Sequence, residues 1–430
     1  MRNYLASQGF RKYFANTSWL LGERVLRMVI SLFVGIYVAR YLGPERYGLL
    51  SYTVSFVWLF SSLASFGLNN ILVRELVQSP EQRNNLLGTV FWLKVFGTFV
   101  MATAIAIALQ FFEDEQQTYW MIFIIALGYL FQATNVIELY FQAQVQSKFI
   151  VRAQVAQILI TSLFKIYLIW VQAELIWFAF ALMLDQAVAA ALFLIIYRWE
   201  IDLFPFFTFH WKQAKQLMHA ALPLIFSGMM VLLYMKIDQV MLKEMLNPKA
   251  VGVYAAAVKL CEAWYFIPSA IMASLFPAII ESRKESEEYY ENRVQKLYEM
   301  MVWGSLLVAI PTSFLADWFI QVLYGANFQE AATVLKIYIW TFVFVSLGVA
   351  SSHWLVAENL EKYALVRSCL GAILNISLNW YLIPIYGITG AAYATLITQL
   401  FVSYLFFGLS KHTRNNFMLS TRALSFRLIK

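Results

Sequence analysis

Charge is what this sequence has least of. Only 13% of its 430 residues are Asp, Glu, Lys or Arg, while 61% are hydrophobic, against about 25% charged in an ordinary soluble domain. So few charges could not keep that much apolar surface in water, which excludes a soluble fold. Cysteine is nearly absent: Cys261 and Cys369 lie far apart in apolar runs, so neither a disulfide framework nor a metal-ligand spacing exists. The four histidines (His210, His219, His353, His412) show no ligand spacing either. No Walker lysine loop, G-x-S-x-G elbow or H-E-x-x-H helix occurs. The expectation is therefore no catalytic residue, no metal, no cofactor and no enzyme.

Long hydrophobic runs are abundant. Each lasts roughly 20 residues, the length of a membrane-spanning helix and twice that of a barrel strand. Windows of about 19 residues place spans near 16–39, 47–68, 86–110, 118–141, 151–172 and 175–197. Six more fall near 218–242, 252–278, 297–316, 331–355, 363–383 and 388–409. Charges interrupt the first run, which reads as a retained span rather than a cleavable signal peptide.

Lysine and arginine orient the spans. With a cytoplasmic N-terminus, twenty-one of them fall in inside segments, from Arg2, Arg11 and Lys12 to Arg367, Lys411, Arg414, Arg422, Arg427 and Lys430. Only Arg40, Arg46, Lys243 and Lys249 fall outside, where one loop also carries Glu113, Asp114 and Glu115. That bias requires an even number of spans and puts both termini in the cytoplasm. The net charge of +7 is then mostly a topology signal, and nucleic acid is not an expected partner. The basic tail after Ser410 could touch anionic lipid headgroups.

An internal repeat organises the spans. Leu42-Gly43-Pro44 leads to Gly48, and Leu246-Asn247-Pro248 leads to Gly252, both as L-x-P-x-x-x-G ahead of an apolar helix and 204 residues apart. A weaker echo sets Leu184-Asp185-Gln186 against Ile397-Thr398-Gln399, 213 residues on. Similar offsets across six helices indicate duplication, and an even number gives both copies one orientation. The expected fold is all-α and membrane-integral: twelve helices in two parallel six-helix lobes around a central cavity. Its parts are an N-terminal lobe (1–202), a cytoplasmic linker (203–217), a C-terminal lobe (218–410) and a basic cytoplasmic tail (411–430).

Seven cations fall inside spans. Lys94 and Lys336 lie within two turns of helix ends and are expected to snorkel. Arg24, Arg27, Lys165, Lys236 and Lys259 lie deeper, where a charge usually faces a cavity and marks function. Glu23 and Arg27, four apart, and Lys259 and Glu262, three apart, are spaced for helical ion pairs. Asp238, two residues from Lys236, should point to another face, and Asp185 has no local partner. Arg24, Lys165 and Lys236 show no partner either. Several uncompensated cations suit an anion such as a pyrophosphate.

The stretch Ala39-Arg40-Tyr41-Leu42-Gly43-Pro44-Glu45-Arg46-Tyr47-Gly48 resembles the A-R-x-L-G-P-x-x-Y-G junction of the O-antigen (Wzx-type) polysaccharide flippases. Phe66-Gly67-Leu68 through Arg74-Glu75 is similar to that family's R-E segment. Tyr386-Gly387 through Ala394-Thr395 is similar to its Y-G-x-x-G-A-A-x-A-T helix start. The family belongs to the superfamily that also holds multidrug and toxin extrusion transporters.

The resemblance implies translocation of an undecaprenyl-pyrophosphate-linked oligosaccharide from the cytoplasmic to the periplasmic leaflet of a bacterial inner membrane. It implies alternating access driven by a coupling cation, H+ or Na+. The partners implied are that lipid-linked oligosaccharide, membrane lipids, a polysaccharide polymerase and a chain-length regulator. On this reading Arg24, Arg27, Lys165, Lys236 and Lys259 form the cationic cavity, and Glu23, Asp185, Asp238 and Glu262 serve ion coupling. Trp58, Tyr234, Trp264 and Tyr265 are candidates to stack on sugars. The alternative is a multidrug or organic-cation antiporter on the same fold, but a cavity for cations should be net acidic. A membrane scaffold would not need deep unpaired cations.

Overall fold

The computed structural model describes residues 8–112, 115–202, 204–205 and 208–425. Arg2, Glu113, Asp114, Arg427 and Lys430 lie outside the described residues.

Among the described residues every regular element is helical, since in lipid a helix satisfies its own backbone hydrogen bonds. Helices α1 (Gln8–Ser65), α2 (Leu68–Gln78), α3 (Arg83–Phe112), α4 (Gln116–Gln132), α5 (Val136–Ala143), α6 (Ser147–Trp170) and α7 (Leu175–Glu200) make the first half. Helices α8 (Trp211–Met245), α9 (Pro248–Glu262), α10 (Phe266–Ser282), α11 (Glu287–Leu323), α12 (Ala331–Tyr338), α13 (Thr341–Ala357), α14 (Lys362–Tyr386), α15 (Ile388–Ser403) and α16 (Arg414–Leu424) make the second.

Among the described residues eleven helical stretches are long and apolar enough to cross a membrane. The first, Gly22–Gln78, runs for 57 residues, about 85 Å at 1.5 Å per residue and enough for two crossings. Gly43 divides it with φ 71° and ψ 172°, a backbone open to glycine, just ahead of Pro44. Among the described residues this makes twelve crossings.

Contacts divide the chain into two units. One holds the described residues through Tyr41 together with Tyr52–Met229, and the other holds Leu42–Ser51 with the described residues from Met230. In the first unit the core packs Leu68, Leu72, Leu87, Ile137, Phe141 and Tyr197. In the second it packs Tyr290, Tyr298, Leu347, Trp354, Phe407 and Leu419. Leu419 comes from α16, so part of the basic tail is a helix docked on its lobe, where the Asn416 side-chain amide donates to the Tyr298 hydroxyl at 2.7 Å.

Both copies of the repeated motif meet in the second unit. A Cβ on Gly48 would overlap the Pro248 carbonyl oxygen, and one on Gly252 would overlap the Pro44 carbonyl oxygen. The two glycines thus let two helix turns approach backbone to backbone, each on the other's proline. The helix starts differ locally: Gly43 supplies a positive φ, whereas Asn247 is an N-cap whose side chain accepts from the Ala250 amide at 2.9 Å.

Hydropathy hides one feature. Several spans are broken: between α1 and α2 at Phe66 (φ 47°) and Gly67 (φ 61°), and between α4 and α5 by a 3-10 turn, Ala133–Asn135. Breaks also separate α9 from α10 near Ala263–Tyr265 and α12 from α13 near Ile339–Trp340.

Candidate functional site

In the first unit, Glu23 and Arg27 on α1 form the expected i,i+4 pair, Nε to Oε1 at 2.5 Å. Arg24 is exposed and has no partner among the described residues. One Arg27 nitrogen, Nη2, is buried without a hydrogen-bond partner among them. Glu138 of α5 interacts electrostatically with Arg27, Lys94 and Glu23, and accepts a hydrogen bond from Gln154 Nε2 at 2.8 Å.

The expectation that Lys165 is unpaired is corrected. Its Nζ lies 2.5 Å from Asp185 Oδ2, with side-chain exposures of 16% and 14%. Gln157 Nε2, two turns before Lys165 on α6, donates to the same carboxylate at 3.3 Å. Asp185, on α7, therefore also has partners. Their separation of 20 residues conceals a pair that exists because α6 and α7 pack side by side.

In the second unit, Lys236 of α8 is likewise paired, with Glu262 of α9 at 2.8 Å. Glu262, expected to serve Lys259, answers a lysine 26 residues away. Lys259 also has interactions of its own. Two residues on, Asp238 faces elsewhere, as helix geometry requires. It is 1% exposed and accepts bonds from its neighbour Gln239 N at 2.8 Å, the Tyr254 hydroxyl and Thr395 Oγ1 at 3.4 Å. Nearby on α14 and α15, Asn379 Nδ2 donates to Asn375 Oδ1 at 2.9 Å and Asn375 Nδ2 reaches Thr398 Oγ1 at 3.4 Å. All three of these side chains are fully buried. Asp238 is thus a buried carboxylate held by neutral donors. Among the described residues no cluster of three or more His, Cys, Asp or Glu could hold a metal ion.

Two cations change place. Lys94 does not snorkel: it is 3% exposed and bonded inside its lobe. Arg367, counted with the cytoplasmic loops, is 9% exposed within α14, bonded to Ser352 Oγ at 3.0 Å and set over the Phe407 ring. Lys336, the other expected snorkeller, is half-buried and pairs with Asp317 at 2.6 Å. Of the aromatic candidates, Tyr234 is buried, Tyr265 bonds to Thr341, and Trp58 and Trp264 are exposed.

Sequence reasoning passed over Glu138, Asn375, Asn379, Thr395 and Tyr254. Glu138 was findable as an ionisable residue within an apolar run. Asn375 and Asn379, four apart in one span, share a helix face. Tyr254 carried no signal, because an intramembrane tyrosine is ordinary until its hydroxyl meets a carboxylate.

Residues 13–283, more than half of the chain, match the family described as "Polysaccharide biosynthesis protein". Over 191 residues the chain is 24% identical to the probable low-salt glycan biosynthesis flippase Agl15 of Haloferax volcanii, a stretch covering 44% of this chain and 40% of that protein. Over 184 residues it is 29% identical to the probable flippase AglR of the same organism, covering 40% and 37%. The chain thus spans about two fifths of the length of these two relatives. It is 19% identical over 402 residues to the capsular polysaccharide biosynthesis protein CapF of Staphylococcus aureus, covering 91% and 98%. Among solved structures, an inward-facing multidrug resistance MATE family transporter of the MOP superfamily superposes with a TM-score of 0.73 at 14% identity, covering 94% of this chain and 96% of that one. An outward-facing MATE transporter gives 0.64 at 13% identity, covering 98% and 97%. Built of broken apolar helices on the MATE fold, the chain is a multi-pass membrane protein that belongs to the polysaccharide biosynthesis protein family.

Proposed function

We propose that this protein is a flippase for a lipid-linked oligosaccharide, carried on undecaprenyl pyrophosphate and moved from the cytoplasmic to the periplasmic leaflet of the inner membrane. Both termini would then be cytoplasmic, with the first lobe, linker, second lobe and tail divided near residues 202, 217 and 410. The observation that carries the reading is that each unit places a lysine–carboxylate pair within its membrane spans, Lys165–Asp185 and Lys236–Glu262.

A pyrophosphate competes with a carboxylate for the same ammonium group. When phosphate oxygens take Lys165 or Lys236, Asp185 or Glu262 loses its counter-charge and becomes a site for a cation. Substrate and coupling ion, H+ or Na+, are linked by that exchange. Arg24, Arg27 and Lys259 add positive potential for the anionic cargo, and Glu23 and Asp238 complete the carboxylates available to the ion. Alternating access follows because the pair and its exchanged form favour different conformations.

The test is flux of a fluorescent polyprenyl-pyrophosphate oligosaccharide in proteoliposomes. Lys165→Ala and Lys236→Ala should each lower it tenfold or more, and the Lys→Arg variants should retain more than alanine. Full flux in both alanine variants at normal protein levels overturns the cation role. Indifference to both proton and sodium gradients overturns the coupling.

A further inference from the structure

In each unit, among the described residues, side-chain bonds join one broken span to another. In the second unit the Tyr265 hydroxyl, at the break before α10, bonds Thr341 Oγ1, at the break before α13, at 2.8 Å. The Tyr265 ring also stacks on Phe342, with centroids 6.1 Å apart. In the first unit the breaks lie at Phe66–Gly67 and Ala133–Asn135. Lys94 Nζ donates to Asn69 Oδ1, two residues past the first break, at 2.6 Å, and to Asn135 Oδ1, within the second. The internal repeat sets one end of each joint in register, since Asn135 displaced by its 204-residue offset falls beside Trp340, whereas Phe66–Gly67 displaced alike falls within α10, about six residues past the break at 263–265.

The chemistry of the two joints is unrelated, but the connection is the same. A broken helix in lipid leaves amides and carbonyls that side chains must satisfy, and a local cap would do that for either break alone. Lys94 instead spans 25 residues to one break and 41 to the other. It comes from α3, a helix unbroken through this depth, whose Thr98 Oγ1 returns to the Lys94 carbonyl at 2.9 Å. No carboxylate lies within ion-pair distance of Lys94 among the described residues. Beyond the field of Glu138, the ammonium is held only by two amide oxygens, and burying it carries a desolvation penalty that a methionine there would not. Packing gives no reason for that choice; holding two amide oxygens at once does. A cavity of about 30 Å³, lined by Lys94, Asn69, Tyr129, Gln132 and Asn135, adjoins the joint.

We infer that Lys94 is a positioning residue for transport: it ties the break between α1 and α2 to the break between α4 and α5, so that both move as one hinge in the conformational cycle. Hinge motions are absorbed by a few element-terminal residues, and a tie between two such breaks turns two local bends into one lobe-wide step. The inference rests on the transport reading for its consequence, not for the tie itself.

Hydrogen exchange on the full chain in nanodiscs tests the tie. Asn135→Ala removes one arm only, yet exchange at Phe66–Ile71 should rise about tenfold, and Asn69→Ala should do the same at Ala133–Ile137. Changes confined to the substituted break overturn the tie. Flux then tests its use. Lys94→Met should lower the maximal rate tenfold or more with the apparent substrate affinity within twofold, and Lys94→Arg should recover part of it. A maximal rate unchanged by Lys94→Met, at normal protein levels, overturns the positioning role, and so does a loss that lies in substrate affinity. A wild-type chain with no flux refutes the flippase reading and with it the transport role, while the exchange result still decides whether the tie exists.

Discussion

The two lobes solve the same structural problem with different chemistry. In the first, the side-chain bonds that join neighbouring spans run through charged groups: Lys165–Asp185, Lys94 with Asn69 and Asn135, and Glu138 with Gln154. In the second, beside Lys236–Glu262, Arg367 and Asp238, such bonds are often neutral, as between Asn375 and Thr398, Tyr265 and Thr341, and Asn416 and Tyr298. Charges in low dielectric act over long distances and tolerate loose geometry, whereas neutral hydrogen bonds act only at contact. On the flippase reading proposed above, the first lobe would answer the anionic cargo through its charges and the second the coupling ion through Asp238.

Substitutions can break that contrast, beginning with the largest effect. Asp185→Leu leaves Lys165 buried and unpaired and should destabilise the protein by about 3 kcal/mol or more. Lys165→Met with Asp185→Leu should recover most of that loss in thermal unfolding while flux stays abolished. If the double variant is no more stable than the single one, charge is not the organising feature of the first lobe. Next, Gly252→Ala forces a methyl group into the Pro44 carbonyl and should cost about 1–3 kcal/mol, read from the same unfolding curves. Gly304, which faces open space, should tolerate alanine. Tyr265→Phe keeps the stack on Phe342 and removes only the hydroxyl bond, for about 1 kcal/mol. Its effect on the maximal flux should be smaller than that of Lys94→Met. The smallest change is expected for Glu23→Gln, below about 1 kcal/mol, because Arg27 is a third exposed to solvent. Asp238→Asn tests the second lobe from the functional side: flux should lose its stimulation by the coupling-ion gradient with little change in unfolding temperature.

Much of this was legible in the sequence because it is local. The twelve spans follow from apolar runs of membrane length, and the Glu23–Arg27 pair follows from spacing on one helix. The motif at Leu42–Gly48 and Leu246–Gly252 announced a duplication, and its glycines prove to be where each copy admits the other's proline carbonyl. The breaks at Phe66–Gly67 and Ala133–Asn135 were not legible, because an interrupted span is as hydrophobic as a continuous one. The partners of Lys165 and Lys236 were hidden for a related reason. Each carboxylate lies on the next helix, and no periodicity within one helix reports which faces its neighbour will cover.

By itself, then, the sequence determined the solvent, the number of crossings and the duplication, since hydropathy, chain length and repeated motifs are properties of the chain alone. Tertiary structure decided which charges are compensated. The cost of a buried cation depends on atoms within a few ångströms, and Lys94, Lys165 and Lys236 draw those atoms from residues 20 to 41 positions away.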